Sequence, residues 1–217
     1  MEKRKVAEKL VKFLEERYGR DIQIFRSGNR DVFRVLITTI LSQRTRDENT
    51  ERAADTLFSR ADTPEKILKL SKKELESLIR PSGPYRQKAK RIKAVSKIIL
   101  EKYGGKVPKT REELMKLPGV GLKTSNVVLT YGYGKPVIAV DVHVEVVSKR
   151  LGLVSQNASV KEVEEKLEEL IPIKDKRNIN LGMVRFGREI CITRKPKCYE
   201  CPLNNICPYP NKTTTSI

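Results

Sequence analysis

Apolar residues recur every three or four positions over most of the chain, which is the spacing of amphipathic helices. The first such segment has apolar or aromatic residues four positions apart, with charges between them: Val6, Leu10, Leu14 and Tyr18. Asp31 precedes the apolar run 32–37 as an N-cap residue precedes a helix. Similar patterns, interrupted by prolines and glycines, predict further helices at about 48–59, 64–70, 72–79 and 86–103.

One segment has a different period. Its apolar positions are Val140, Val142, Val144 and Val146, and its polar positions are Asp141, His143 and Glu145. Strict alternation is typical of a half-buried strand. Asp141 is also suited to be the N-cap of a helix over about 142–151. The pattern alone slightly favours the strand.

A glycine-containing turn reads LPGVGLKT over residues 117–124. Thr110 and Glu113 form a capping-box signature for the helix that enters this turn. Gly119 and Gly121 allow backbone N–H groups to approach a ligand closely, and the start of the following helix offers unpaired donors, which suits a phosphate. Lys123 would lie beside a bound sugar–phosphate backbone. The two interpretations are a passive phosphate-binding lysine and a lysine that reacts with the sugar.

The charge of the 217-residue chain is strongly positive, because 45 basic residues face 27 acidic ones and the net charge is +18. This indicates a polyanionic partner, most simply nucleic acid, whereas the alternative is a basic surface that serves only solubility. A basic stretch that would bind phosphates contains Arg86, Lys88, Lys90, Arg91 and Lys93. The sequence has no apolar stretch of membrane-spanning length and no signal-peptide core, so we expect an intracellular, cytoplasmic protein.

All four cysteines lie near the C-terminal end of the chain, spaced C-x6-C-x2-C-x5-C: Cys191, Cys198, Cys201 and Cys207. Structural zinc usually uses two close pairs of ligands, and this segment has one such pair. The spacing therefore favours a [4Fe–4S] cluster over zinc, with zinc as the alternative. The basic residues between the first two cysteines would face a DNA phosphate or merely offset thiolate charge: Arg194, Lys195 and Lys197.

Taken together, the turn at 117–123, Asp141 and the cysteine spacing resemble the endonuclease III family of DNA glycosylases. The resemblance continues through residues 36–47 and covers about 20–207. It implies an all-α, two-lobed helix-hairpin-helix DNA glycosylase fold with a C-terminal iron–sulfur cluster loop. One domain of six-helix type would be 23–134, and the other would combine 1–22 with 135–217. The resemblance also implies that 142–151 is a helix, and we follow it against the alternation.

The resemblance further implies a bifunctional DNA glycosylase and AP lyase of base excision repair. Lys123 would be the nucleophile, Asp141 its electrostatic partner, and the four cysteines the cluster ligands. The substrate would be double-stranded DNA with a damaged base, an oxidised pyrimidine above all, or an abasic site. The enzyme would act as a monomer associated with the nucleoid, without a membrane. A thymine-mismatch glycosylase and a noncatalytic iron–sulfur DNA-binding module are the rival readings.

The proposed chemistry requires a neutral amine, whereas a free lysine is protonated below about pH 10.4. A helix N-terminus supplies only about 0.3–1 kcal/mol. We therefore expect Lys123 to be partly buried, with full desolvation when DNA is bound.

The expected DNA contacts include the two glycines of the turn and three further residues. Arg44, with Gln43 before it, stands where the family tends to place a glutamine wedge that fills the hole left by a flipped base, which is a departure from the family's pattern. Which of the two enters the duplex is left open. His143, the one histidine of the sequence, is expected to contact the DNA backbone or line the cleft.

Overall fold

The computed structural model describes residues 2–19 and 31–214, and all regular structure in these residues is helical. The predicted all-α fold is therefore confirmed. The described residues form these helices: α1 (Lys3–Tyr18), α2 (Val32–Ser42), α3 (Asp47–Arg60), α4 (Pro64–Lys69), α5 (Lys72–Leu78), α6 (Tyr85–Tyr103), α7 (Arg111–Met115), α8 (Leu122–Val127), α9 (Val142–Arg150), α10 (Val160–Leu170) and α11 (Ile173–Glu189). A π-helical turn at Val128–Gly132 continues α8, and short 3-10 turns lie at Arg80–Ser82, Cys198–Glu200 and Asn204–Ile206.

Polar side chains cap the N-terminal ends of several helices, because the first N–H groups of a helix have no partner within it. Asp31 Oδ1 accepts a hydrogen bond from Phe33 N at 2.9 Å, and Thr110 Oγ1 accepts one from Glu113 N at 3.3 Å. Both caps were predicted from the sequence. Complete capping boxes begin α5 and α10.

The chain divides into two compact units, Phe25–Lys135 and the combination of Met1–Ile24 with Pro136–Ile217. The predicted division between 22 and 23 lies outside the described residues. Helices α2 to α8 belong to the first of these units, and α1 with α9 to α11 belongs to the second.

In the unit that contains α2 to α8, α2 is the central element. It packs against α3, α6, α8 and the π-helical turn. Four of its side chains are fully buried: Leu36, Ile37, Ile40 and Leu41. A Cβ at Gly132 would lie 2.9 Å from Val32 Cγ1, so a glycine is needed where the π-helical turn meets α2. This packing fixes the C-terminal end of α2 and the end of the α8 segment.

In the unit that contains α1 and α9 to α11, α11 packs against both α1 and α9. The rings of Phe13 and Phe186 meet edge to face at 5.1 Å, and Val144, Leu167 and Met183 are fully buried beside them. The core of this unit therefore forms around α11, which also leads into the cysteine segment.

Residues 142–150 form a helix, so the strand suggested by alternation is wrong and the helix implied by the resemblance is confirmed. Val144 and Val147 are fully buried, whereas Val142 is 57% exposed. The buried positions follow the helical period, and the alternation arises because exposed positions of α9 also carry valine.

Candidate active site

Helix α7, the turn at 116–121 and α8 form the predicted hairpin. Gly119 has φ +79°, in the left-handed region that favours glycine, and a Cβ there would lie 2.8 Å from Arg91 Cδ. Gly121 is extended, and a Cβ there would meet no atom within 4 Å. Gly119 is thus required by the fold itself, while Gly121 leaves open space at the start of α8.

Lys123 is the second residue of α8 and its side chain is exposed. It forms no hydrogen bond or ion pair with the described residues. The predicted partial burial is therefore wrong for the protein without a partner. The next three residues, Thr124, Ser125 and Asn126, are buried, so α8 directs them inward and leaves the lysine outside.

Gln43 connects the turn after α2 to this hairpin. Its Nε2 donates to Gly119 O at 2.9 Å and to Thr124 Oγ1 at 3.5 Å, and its Oε1 accepts from Arg91 at 3.3 Å. The amide is thus committed to contacts within the protein, and a DNA contact by Gln43 stays a prediction.

Arg44 follows directly and is exposed, with no side-chain hydrogen bond or ion pair to any described residue. Its φ of 54° is the only positive value at a non-glycine residue in the described part of the chain. Within one unit, the structure thus brings Gln43 against the hairpin turn that precedes Lys123, and Arg44 is the next residue after Gln43.

The basic stretch on α6 is only partly available to a ligand. Arg86 and Lys90 are exposed, but Lys88 is 1% exposed, and Lys93 donates to the carbonyl oxygens of two residues at the end of α4. Sequence reasoning missed these inward-facing lysines, because their acceptors are backbone oxygens that no motif marks.

Asp141 is the N-cap of α9. Its Oδ1 accepts from His143 N at 2.9 Å and from Val144 N at 3.0 Å, whereas its other carboxylate oxygen has no hydrogen bond to the described residues. The extended residues before it are held by α10 and α11: Glu168 accepts from Ile138 N at 2.7 Å, and Asn180 donates to Ala139 O at 2.6 Å. One oxygen therefore stabilises the helix and the other is available to a ligand.

His143 packs against α11, where Gly187 makes room for it. A Cβ at Gly187 would lie 2.8 Å from His143 Nδ1, and this nitrogen is buried without a hydrogen-bond partner. The structure thus shows a packing role for the ring, and its predicted contact with DNA stays a prediction. Asp141 and His143 lie at the start of α9, in a different unit from Lys123.

The four cysteines line one small cavity, together with Arg150 at the end of α9 and the apolar side chains of Leu151, Phe186 and Ile190. All are free thiols of intermediate exposure. Burial raises the pKa of Cys201 to about 11 and also raises the pKa of Cys191. Among the described residues, no group of three or more His, Cys, Asp or Glu side chains is arranged to hold a metal ion.

Arg150, at the end of α9, holds the start of the cysteine segment. Its guanidinium donates to the carbonyl oxygens of three consecutive residues, Cys191, Ile192 and Thr193, at 2.7–3.1 Å, and to Cys191 Sγ at 3.4 Å. It also lies 4.6 Å from the centre of the Tyr209 ring. Sequence reasoning missed this residue, since an arginine in the last turn of a helix carries no specific signal.

The loop between the first two cysteines presents its charges outward. Arg194 and Lys195 are exposed and form no hydrogen bond or ion pair with the described residues. Lys197 lies 3.7 Å from the Glu200 carboxylate, so its charge is partly offset.

No helix in the described residues is long and apolar enough to cross a membrane.

Comparison with known proteins places this arrangement in a family. Residues 37–173 match the model of the HhH-GPD superfamily of base excision DNA repair proteins. Endonuclease III of Thermotoga maritima is 52% identical over 82% of this chain and 84% of its own length. Endonuclease III of Bacillus subtilis is 45% identical over 81% of this chain and 80% of its own.

Solved structures agree with these matches over nearly the full length. A trapped endonuclease III–DNA covalent intermediate, an estranged-adenine complex, is similar with a TM-score of 0.87 and 37% identity, covering 96% of this chain and 97% of that one. A thermostable thymine-DNA glycosylase gives a TM-score of 0.86 and 33% identity, covering 95% and 96%. The predicted family is confirmed: the chain belongs to the endonuclease III family of the HhH-GPD superfamily, and is a base excision repair DNA glycosylase with AP lyase activity.

Proposed function

We propose that this enzyme removes damaged pyrimidines, oxidised ones above all, from double-stranded DNA and cuts the strand on the 3′ side of the resulting abasic site. One observation carries the proposal: Lys123 offers an exposed amine that has no partner among the described residues, shortly after the open turn at Gly121. The similar endonuclease III that was trapped as a covalent DNA intermediate supports a covalent route.

In this mechanism Lys123 Nζ attacks C1′ of an extruded nucleotide, and the amine loses a proton as the C–N bond forms. The glycosidic bond breaks, and the departing base takes the electron pair and a proton. Opening of the sugar ring gives a Schiff base between Nζ and C1′. Removal of a C2′ proton then breaks the bond between C3′ and its oxygen, which releases the downstream strand with a 5′-phosphate.

Asp141 would stabilise the positive charge that develops on the sugar. Its Oδ1 is used by the first N–H groups of α9, which leaves the second carboxylate oxygen for this role. The hydrogen bonds that Glu168 accepts from Ile138 N and that Asn180 donates to Ala139 O would keep the carboxylate in place.

Bound DNA would complete the site by removing water from Lys123. The amine is exposed in the protein alone, and desolvation favours the neutral form of an amine, which is the nucleophile. The enzyme would thus become reactive only on DNA, acting as a monomer at the nucleoid.

Borohydride trapping on a duplex with one abasic site tests the role of Lys123. Lys123→Gln should form no covalent adduct, because an amide cannot form a Schiff base. Lys116→Gln is the matched control, since Lys116 is an exposed lysine of the same hairpin, and it should trap as the wild type does. Undiminished trapping by Lys123→Gln would contradict the assignment.

A second candidate function, removal of thymine from mismatches, is favoured by the similarity to a thermostable thymine-DNA glycosylase. Duplexes that each carry one defined lesion or one G·T mismatch separate the two functions, if base release and strand cutting are measured independently. Release of oxidised pyrimidines with cutting supports the first function. Release of mismatched thymine alone, without cutting, supports the second.

We also propose that the four cysteines hold a [4Fe–4S] cluster. The donor set fits, because four thiols line one cavity without a carboxylate or imidazole among its lining residues, and Arg150 supplies a cation beside them. When bound, the cluster would link the four thiolates and order the basic loop that carries Arg194 and Lys195. Iron and sulfide analysis of purified protein tests this, and one zinc per chain without sulfide would contradict it.

A further inference from the structure

Lys88 is a lysine buried inside one unit, and none of the described carboxylates is its partner. It lies on α6 and is 1% exposed. Its Nζ donates to Leu41 O at 2.5 Å, to Thr45 Oγ1 at 2.7 Å and to Ser82 O at 2.6 Å. An ammonium has three donors, and all three are used here. Burying a charge without compensation is costly, so these three hydrogen bonds are what allows an ammonium group to be buried at this position.

The three acceptors belong to two separate turns. Leu41 and Thr45 flank the turn between α2 and α3, whereas Ser82 lies in the 3-10 turn that precedes α6. Thr45 Oγ1 also donates to Ser82 O at 2.5 Å, and a Cβ at Gly83 would lie 3.5 Å from the same hydroxyl. Lys88 therefore joins the two turns from their buried side.

The turn held in this way contains Arg44 in the left-handed conformation. Such a conformation costs a residue with a side chain about 1–2 kcal/mol, and it persists only where neighbouring contacts impose it. Both neighbours of Arg44 are fixed: Gln43 is bonded to the hairpin and Thr45 to Lys88. The result is an exposed guanidinium at Arg44 that pairs with none of the described residues. The side chain of the preceding residue, Gln43, reaches Thr124, the neighbour of Lys123 in the chain.

We propose that Lys88 is a positioning residue for DNA distortion, which fixes the turn at 42–46 so that Arg44 enters the duplex beside the extruded nucleotide. The proposal rests on the proposed function, since it requires a base to be extruded. Extrusion leaves a gap in the base stack, and a side chain held rigidly fills that gap at a lower entropic cost than a mobile one.

Lys93 provides the matched control. It lies on the same helix and donates through its Nζ to Leu68 O, at 3.3 Å, and to Leu70 O, at the end of α4. It thus also bonds to backbone carbonyl oxygens, from a half-buried position, but none of its acceptors borders Arg44. Lys88→Met and Lys93→Met each remove an ammonium and retain a chain of similar length.

The experiment uses the full-length protein on two abasic substrates, a duplex and a single strand. Lys88→Met should cut the duplex about ten- to a hundredfold more slowly, the range expected when a positioned group is displaced. It should cut the single strand at the wild-type rate, because no stack has to be opened. Lys93→Met should match the wild type on both. An equal loss on both substrates, or equal effects of the two variants, would overturn the proposal.

A spectroscopic readout and a double-mutant cycle test the route through Arg44. With 2-aminopurine opposite a stable abasic analogue, saturating wild type should raise the fluorescence as the stack opens, and Lys88→Met and Arg44→Ala should not. The losses of duplex cutting in these two variants should be non-additive when combined. Full additivity, or normal fluorescence with Lys88→Met, would contradict an action through Arg44.

A milder substitution is available if Lys88→Met does not fold. Thr45→Val keeps the side-chain shape and removes one of the three acceptors, so it should slow duplex cutting selectively, though less. A wild type that cuts neither substrate would instead refute the proposed function, whereas an active wild type with a neutral Thr45→Val would refute only the role of Lys88.

Discussion

At the scale of single residues, burial and, to a smaller extent, the nearby positive charge of Arg91 together lower the pKa of Lys88 to about 8. The three oxygen acceptors oppose this effect, but the ammonium has no anionic partner among the described residues. A lysine in the unfolded chain titrates near 10.5. The folded state therefore carries a cost wherever Lys88 is charged in both states.

The stability of the protein should depend on pH through this residue. Between pH 8 and 10.5 the unfolded chain binds the proton and the folded chain does not, so the free energy of unfolding rises with pH across this window. Below pH 8 the cost is present in full, and the difference in pKa corresponds to about 3 kcal/mol. Urea unfolding of the wild type and of Lys88→Met should show the rise only in the wild type. Parallel pH profiles would show that Lys88 titrates normally.

Three lysines show how far residue roles can be read from the sequence. Lys123 could be predicted as a candidate because the glycine turn before it is a local signal. Lys88 and Lys93 could not be separated from the basic residues around them, because all but one of their acceptors lie between 23 and 47 positions away in the chain. The exposure of Lys123 was also misjudged, because the covering of a side chain depends on elements that do not adjoin it in sequence.

At the scale of elements, Asp141 serves helix α9 with one oxygen and leaves the other free. Asn caps helices about as well as Asp, whereas Ala does not. Asp141→Asn should therefore retain the wild-type free energy of unfolding and yet release damaged bases about a hundredfold more slowly. Asp141→Ala should lose the same activity and about 1 kcal/mol of stability as well. If Asp141→Asn released damaged bases at the wild-type rate, Asp141 would serve only as the N-cap of α9 and not in catalysis.

The contact between α9 and α11 depends on the absence of a side chain at Gly187. In Gly187→Ala the new Cβ would press on His143, and we expect a loss of about 1–3 kcal/mol in the free energy of unfolding. Thermal or urea unfolding measures this loss. Adding His143→Gly should remove the clash, because it deletes the Cβ as well as the ring of His143, so the double variant should lose less than the sum of the single losses. If the losses in the free energy of unfolding were additive, the destabilisation by Gly187→Ala would not arise from its contact with His143.

Helix α9 also shows why the alternation of apolar and polar residues wrongly predicted a strand. Its valines stand at both buried and exposed positions, so the sequence alternates even though burial follows the helical period at Val144 and Val147. The caps at Asp31 and Thr110 were predictable, because a cap is a contact between residues two or three positions apart. The π-helical turn carries no such local signal, and it packs against α2, which is distant in the sequence.

At the scale of the whole molecule, the net charge of +18 favours binding to a polyanion. Arg194 and Lys195 extend from the cysteine loop without ion-pair partners among the described residues. Each phosphate contact contributes about 0.9 to the slope of log affinity against log salt. These two residues should therefore account for about two units of that slope.

Replacing both residues with alanine should flatten the salt dependence of duplex binding by this amount. The matched control replaces Lys102 and Lys106, two exposed lysines at and beyond the C-terminal end of α6, which changes the net charge equally. Fluorescence anisotropy over a range of salt concentrations measures both slopes. Equal effects of the two pairs would assign the salt dependence to total charge and would contradict a specific role for the loop.

The hydrogen bond from Gln43 to Gly119 has a consequence for how new substrate preferences arise. It joins two segments 76 positions apart in the chain. The position of Arg44, which follows Gln43, is therefore coupled to the position of the turn that precedes Lys123. A substitution in either segment should displace the other, so a change that adapts only one segment to a new lesion should impair the position of the second. Directed evolution of lesion preference should therefore recover paired changes at these segments, and libraries that randomise only one of them would sample mostly impaired enzymes.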